Sequence, residues 1–348
     1  MDRLSDGPFK SVVVKLYPQV LYRLMDLSNR GYRLILDDRF WIDKLHNDGY
    51  RYLPKFITNY YLFYRTRFPI AGKRLVITDE NDNEPPIIVP FPVIDSIRHE
   101  GGEVVLTATG KLYLVSSEDR PLQLLIQQRI KSIAGGSGSS IYTLDQKGLV
   151  RRTDFIDSFG ESIYQSIADN IQEMVSNDGL GIVAITHRGE LSTITDKGIS
   201  HSRTKNAVCF RNDINNCMKH YINDHGDVIE LQGGRRIDLP SKAIFYTASC
   251  FNAEGESFMI DARGRAFWST PSDDREEWIA HHLPIISADI DSDVGFNFTD
   301  EDGNGYHWEE GEVEMIEPRR REHRRYSELI PYGDDYEEYL SNYRFDYF

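Results

Sequence analysis

Two hydrophobic rhythms divide the chain. Over residues 9–68 the apolar positions Val12, Val13, Leu16, Val20, Leu21, Leu24 and Leu27 recur at steps of three and four. That spacing draws one apolar stripe along a helix. Pro18 interrupts the stripe and predicts a helix start, because proline suits a first turn. Asp37-Asp38-Arg39-Phe40-Trp41 predicts a second start, with acidic side chains at the positive end of the helix dipole. Ile42, Leu45 and His46 follow on the Trp41 side, and Phe40 and Trp41 read as the structural anchor of the region. Tyr60, Tyr61, Phe63, Tyr64 and Phe68 close it as an aromatic cluster.

Beyond residue 70 the rhythm shortens and repeats. A small apolar strand leads to a polar turn, then a second apolar strand ending in Thr or Asp, then glycine, then a third strand. The clearest copies are IKSIAGGSGSSIYTLDQKGLV, IQEMVSNDGLGIVAITHRGELSTI and AIFYTASCFNAEGESFMIDARGRAFW, and IDSIRHEGGEVVLTATGKLYLV also fits. NCMKHYINDHGDVIEL and IISADIDSDVGFNFTDEDGNGYHW fit more loosely. The turn glycines Gly110, Gly148, Gly189, Gly226, Gly264 and Gly303 are spaced by 38, 41, 37, 38 and 39 residues, and Gly72 lies 38 before the first. Such a period holds four strands of ~5–6 residues with their turns. The β-branched and aromatic runs read as strands, and each glycine falls where a hairpin needs a positive φ. Radial repetition of such sheets predicts a mainly β fold, a six- or seven-bladed β-propeller, preceded by a small helical module. The expected division is 1–69 helical, 70–316 propeller and 317–348 a charged, aromatic tail.

Composition narrows the class. The chain has 348 residues, with 17 Phe and 20 Tyr, so it can build a core. Its net charge of −15 disfavours broad nucleic-acid binding. Three cysteines, Cys209, Cys217 and Cys250, are too few and too odd for a disulfide scaffold and lead to the expectation of an intracellular protein, cytoplasmic or nuclear. No apolar run reaches the ~20 residues that span a bilayer, and the opening MDRLSDGPFK does not read as a secretory signal.

The repeat units resemble those of the regulator-of-chromosome-condensation family, with Ile130–Val150 and Ile171–Leu191 matching best and the likeness covering roughly residues 90–310. The units are shorter than that family's, and its His-Ser pair is missing. The stretch from Tyr17 to Phe68 resembles a degenerate F-box. Pro18, Val20, Leu21, Leu24 and Leu27 match the family's opening helix, and Leu36, Phe40 and Trp41 match its later signature. Tyr17 and Gln19 stand where the family has leucine and an acidic residue. This resemblance implies a Skp-type ubiquitin-ligase adaptor as partner, docked on Pro18, Val20, Leu21 and Leu24. The layout, an F-box-like segment beside propeller repeats, is similar to that of paralogous families in large DNA viruses.

Candidate chemistry is sparse. Ala134–Ser140, AGGSGSS, lacks the Lys of a phosphate loop and runs into a strand. Residues 78–86 are similar to the calcium linker of cadherins, and the alternating Asp289, Asp291 and Asp293 to an EF-hand opening, but Val294 stands where that loop needs glycine. The cysteine spacing is wrong for zinc, and His281 and His282, being adjacent, are expected to point apart. Arg319, Arg320, Arg321, Arg324 and Arg325 form a basic patch that reads as a charged helix or tail segment, or as a nuclear-import or nucleic-acid patch. Neither metal, cofactor nor catalytic residue is expected. The functional expectation is a non-enzymatic interaction protein whose propeller binds a protein target, without membrane association. The alternative is a plain scaffold or a small-GTPase exchange factor.

Overall fold

The computed structural model describes residues 6–27, 31, 33–68, 76–77, 87–88, 93–99, 102–115, 123–126, 129–135, 140–155, 162–176, 181–195, 198–202, 204–212, 219–231, 233–248, 257–270, 275–290, 296–309 and 311–317. Gly72, the acidic stretch 78–86, Asp291, Asp293, Cys217, Cys250 and the arginines of the basic patch lie outside them. Among the described residues no helix is long and apolar enough to cross a membrane.

The N-terminal part is helical. Helix α1 spans Asp6–Val13, α2 Pro18–Leu27, a 3-10 turn Arg33–Leu36, α3 Asp38–Asn47 and α4 Tyr60–Arg67. Pro18 is the first residue of α2, where its missing N–H has no helical partner to lose. The Phe40 N–H donates to Asp37 Oδ1 at 3.1 Å and the Leu62 N–H to Asn59 Oδ1 at 3.1 Å, capping α3 and α4. Trp41 is fully buried between the rings of Phe40, Tyr61 and Tyr64, and its indole N–H donates to the Leu34 carbonyl at 2.7 Å. Beneath it Lys44 is buried with its charge matched by Asp48 at 2.5 Å, and the Tyr64 hydroxyl donates to the same carboxylate oxygen. A buried cation without such partners would be costly.

From Val93 to Glu317 the described chain forms six antiparallel sheets in succession, each an up-and-down meander. Sheet 1 joins the strands Val93–His99, Gly102–Thr107, Leu112–Val115 and Gln123–Ile126. Sheet 2 runs from Ile130 to Ala168, sheet 3 from Ile171 to His201, sheet 5 from Ala243 to Trp278 and sheet 6 from Ile285 to Glu317, with four strands each. Sheet 4, Ala207–Asn212, Lys219–Asn223 and Val228–Glu230, has three. Beside its last strand the chain folds back at Arg235–Ile237, so a single bridge replaces a fourth strand. A further two-stranded pair joins Val76–Ile77 to Ile87–Ile88.

The first strands of successive sheets pack side by side, which makes them the inner row and the last strands the outer rim. Apolar clusters fill the spaces between sheets 1 and 2, 2 and 3, and 3 and 4. A larger buried cluster runs from sheets 4–6 into the helices, through Trp41, Phe63 and Tyr64.

One turn is repeated six times between second and third strands. Its first residue is Thr107, Asp145, Thr186, Asn223, Asp261 or Asp300, and its fourth is a turn glycine. Asp261 Oδ1 accepts the N–H groups of Arg263 and Arg265 at 2.8 and 3.0 Å, and Asp145 and Asn223 do the same in their turns. These side chains tie the turn to itself. Gly110, Gly148, Gly189, Gly226, Gly264 and Gly303 have φ between +75° and +86°. The next sheet is joined here. The carbonyls of the first five glycines accept the N–H of Ile130, Ile171, Ala207, Ala243 and Ile285, each the first residue of the following sheet, at 2.8–3.0 Å. The loosely patterned copies around Gly226 and Gly303 carry the same turn as the clear ones.

Gly189 shows why no other residue fits. At φ +75° an L-residue already loses about 1–2 kcal/mol. An added Cβ would also stand 2.7 Å from the ring of Tyr52. Gly234 has a similar φ of +68° but open space around it. The Gly189→Val protein is therefore expected to lose more than about 2 kcal/mol and Gly234→Ala distinctly less. Denaturant midpoints of the two variants check this, and equal midpoints would remove the proposed clash.

Candidate functional site: the helix-covered face

The turn glycines all lie at one end of the sheets, and the N-terminal chain covers that end. Its path follows the sheets in order. An added Cβ at Gly49 would meet the Gln146 carbonyl of the sheet 2 turn at 2.8 Å. Tyr52 lies over Gly189 of sheet 3, Phe56 against Gly226 of sheet 4, and Leu62 near Gly264 of sheet 5. The Lys55 N–H donates to the Asp224 carbonyl at 3.2 Å. Asp224 is buried, and its carboxylate takes Lys55 Nζ at 2.7 Å and the Tyr52 hydroxyl at 3.0 Å. Burial and the bond to Asp224 push the Tyr52 phenol up to about 12.

Towards the inner row the contacts become more polar. In sheets 2 and 3 the second residue of the first strand, Lys131 and Gln172, is the extra residue of a bulge, one of which opens every sheet. Gln172 is fully buried. Its Oε1 accepts the backbone N–H groups of Arg51 and Tyr52 at 2.8 and 2.7 Å, and its Nε2 donates to the Tyr52 and Val208 carbonyls. Glu173 receives the Tyr50 hydroxyl and the Phe210 N–H, both at 2.6 Å. Arg67, the last residue of α4, donates to the carbonyls of Phe210 and Ile244, in the first strands of sheets 4 and 5, at 3.2 and 3.0 Å, with Glu173 at 3.6 Å. Lys131 Nζ donates to the Gln172 carbonyl at 2.7 Å and lies 3.5 Å from the centre of the Tyr50 ring. Burial, opposed by Glu173 and Asp48, brings its ammonium down to about 7.

This arrangement fastens one part of the chain to another. The donors of Arg51, Tyr52, Arg67 and Lys131 meet acceptors of the protein itself, and what they do is hold this face closed. Sequence reasoning did not find Lys131, Gln172, Glu173 or Arg67. A signal existed, since the corresponding position in the other repeats is apolar, Ile94, Val208, Ile244 and Ile286, whereas Lys131 and Gln172 are polar.

The residues singled out from the sequence fall in several places. Phe40 and Trp41 are buried in the helical part. Leu21 is also fully buried, packed inside the same cluster, so it is no free docking anchor; amphipathic spacing marks an inward face without saying what it faces. Val20 is 48% exposed, and Pro18 and Leu24 are half-buried. The rings of His281 and His282 do not point apart but lie 4.6 Å from centre to centre, because the segment before sheet 6 is irregular and neither residue sits in a helix or strand. His281 packs on Tyr306 and Phe298, 3.6 Å from the Asp300 carboxylate. Ser192 and His201, unmarked in the sequence, are cross-strand partners in sheet 3 with Oγ and Nδ1 2.9 Å apart. Among the described residues no three His, Cys, Asp or Glu side chains converge as metal ligands would.

Lys131 gives this face a pH dependence. Its folded pKa of about 7 lies below the ordinary lysine value of 10.5. Between these values the unfolded chain binds the proton and the folded one does not, so this group makes stability rise with pH from 7 towards 10. The slope is at most about 1.4 kcal/mol per pH unit. Lys131→Met is expected to be more stable than wild type at neutral pH and to flatten this rise. Urea midpoints of both proteins between pH 7 and 9.5 check it; parallel curves would contradict it.

No family model matches the chain, and no curated protein sequence does. Among solved structures it is similar to the dihydro-heme d1 dehydrogenase NirN in complex with DHE, a propeller neighbour, with a TM-score of 0.54 and 13% identity over 71% of this chain. The chain covers 62% of the length of that one. The C-terminal WD40 domain of Sif2 aligns with a TM-score of 0.46 and 13% identity, over 68% of this chain and 74% of that one. At these identities the likeness concerns the fold, which is mainly β and of the propeller type, with a small helical part at its N-terminus.

Proposed function

We propose that the protein is an interaction scaffold in which the N-terminal helices close one propeller face and the opposite face binds a protein target. The observation that carries this reading is the path of residues 49–67 across the turns of sheets 2 to 5, ending with Arg67 on the inner strands. On this face the sheet ends are occupied by the protein's own N-terminal chain. The opposite sheet ends carry the connections between first and second strands, for example between Ser176 and Ile182 and between Ala248 and Ser257. Loops set on a rigid β frame are the usual carriers of recognition. Six described sheets and the short pair at Val76–Ile88 support six or seven blades, and the recurring glycine turn supports kinship with chromosome-condensation-regulator repeats.

The F-box resemblance adds a second partner to this reading, a Skp-type adaptor. Because Leu21 is buried, recruitment would use the outer side of α2, Val20 with Leu24 and Pro18.

A photo-crosslinking residue at position 176, at the end of the first strand of sheet 3, is expected to capture a partner in cells. The same residue at position 187, half-buried in the covered sheet 3 turn, is expected to capture none. Equal capture from 187 would refute the assignment of faces. For the adaptor, Val20→Asp should abolish Skp co-purification at an unchanged melting temperature, since Val20 is exposed. Absence of the adaptor from the wild-type sample would refute that second partner alone.

A further inference from the structure

Sheet 6 carries two aromatic rows that lead from the interior to an open edge. Its second strand is Phe296–Asp300, its third Gly305–Glu309 and its fourth, outermost strand Glu312–Glu317. Phe296 stands opposite Trp308, and Trp308 opposite Val313; Phe298 stands opposite Tyr306, and Tyr306 opposite Met315. The Phe296 and Trp308 rings are stacked at 4.7 Å and the Phe298 and Tyr306 rings at 5.1 Å. All four rings are buried, yet the rows end on Val313 and Met315, which are 37% and 50% exposed. Cross-strand neighbours on one face stabilise a sheet, so each row ends one partner short.

The other side of the same edge is acidic. Glu312 and Glu314 alternate with the two apolar residues, and Glu309 precedes them; all three are exposed. Gly311 brings Glu277 of sheet 5 close, since a Cβ there would lie 3.8 Å from Glu277 Oε2. Among the described residues no strand pairs with the outer side of Glu312–Glu317. Natural edge strands are usually guarded by lysine, proline, short length or a covering segment. The outer strands of sheets 1, 3 and 5 have four residues each, that of sheet 4 is covered by Arg235–Ile237, and that of sheet 2, Ser162–Ala168, has seven residues with a bulge near its end and no row of glutamates. Glu312–Glu317 has six residues and no Lys, Arg or Pro. Among the described residues its guards are its glutamates and a bulge at Ile316, which leaves Glu312–Met315 in regular register.

We propose that this edge takes a fifth strand from a partner protein, a short extended segment in which apolar and basic residues alternate. Its apolar side chains would extend the two rows past Val313 and Met315, and the residues between them would place Lys or Arg beside Glu312 and Glu314. Main-chain bonds to the open edge supply affinity, and the alternating side chains supply selectivity. A second copy of this chain fits poorly. Antiparallel registers that align the two apolar faces set glutamate opposite glutamate, which destabilises a pair. The site lies on the outer rim, apart from the face assigned above, so either can fail without the other.

The probe is a fluorescein-labelled hexapeptide, Lys-Val-Lys-Val-Lys-Val, followed by anisotropy with the full chain. Saturable binding is expected, weakened by added salt. Val313→Lys with Met315→Lys should weaken it by about tenfold or more, roughly the loss of 1.4 kcal/mol, with melting temperature unchanged. Val313→Thr with Met315→Thr, which keeps charge and strand propensity, should weaken it in the same direction. A Lys-Gly hexapeptide of equal charge should bind far less. No binding to wild type, binding by both double variants as tight as wild type, or equal binding of the Lys-Gly peptide would each overturn the proposal. Sedimentation showing dimers lost in the same variants would point to a second copy and overturn it too.

Discussion

The hydrogen bond from the first residue of each sheet to the turn glycine of the sheet before it is the joint on which the architecture depends. It occurs five times at nearly constant length. Each joint fixes where the next inner strand begins, and so sets the spacing of the sheets. The carbonyl is presented correctly only because the turn passes through a positive φ and because an Asp, Asn or Thr side chain holds the turn closed. Between the joints, apolar side chains from facing sheets fill the wedge, and this burial supplies most of the stabilisation. The joints give the direction and the core gives the energy.

The same turns determine what can sit above them. Glycine leaves no side chain at the sheet ends, so aromatic and aliphatic groups of the N-terminal chain approach within contact distance, Tyr52 over Gly189 and Phe56 over Gly226. Two carboxylates beneath them are met by the protein's own donors. Glu173 lies between Tyr50, the Phe210 N–H and Arg67, and Asp48 lies between Lys44 and Tyr64. Such pairs contribute more to register than to net stability, since desolvation offsets much of the attraction. They hold the helices in one position on the propeller. The outer rim follows other rules, because its strands need no joint, and there the sixth sheet leaves two rows of its apolar face unfinished.

Much of this was legible along the chain. Glycines at a period near 38 marked every turn, and the residues before them marked the strand pairs. Pro18 and Asp37 marked the starts of α2 and α3, because helix starts obey local rules of φ and hydrogen bonding. Those signals act over a few residues, and a sequence displays them directly. The three-stranded sheet 4 escaped notice, since a strand replaced by a single bridge at Arg236 leaves no gap in the repeat period.

What the sequence determined by itself was therefore local and periodic: the strand and turn rhythm, the helix starts, and the apolar faces that had to be covered. Only the tertiary structure decided what covers them. Leu21 lies on an apolar stripe that would equally suit a partner, and folding turns it inward. Tyr50 meets Glu173, and Arg67 meets Phe210 and Ile244, across more than a hundred residues of chain. No spacing encodes such a meeting. It arises because the sheets are stacked in order, and the segment before them can follow that order only along one face.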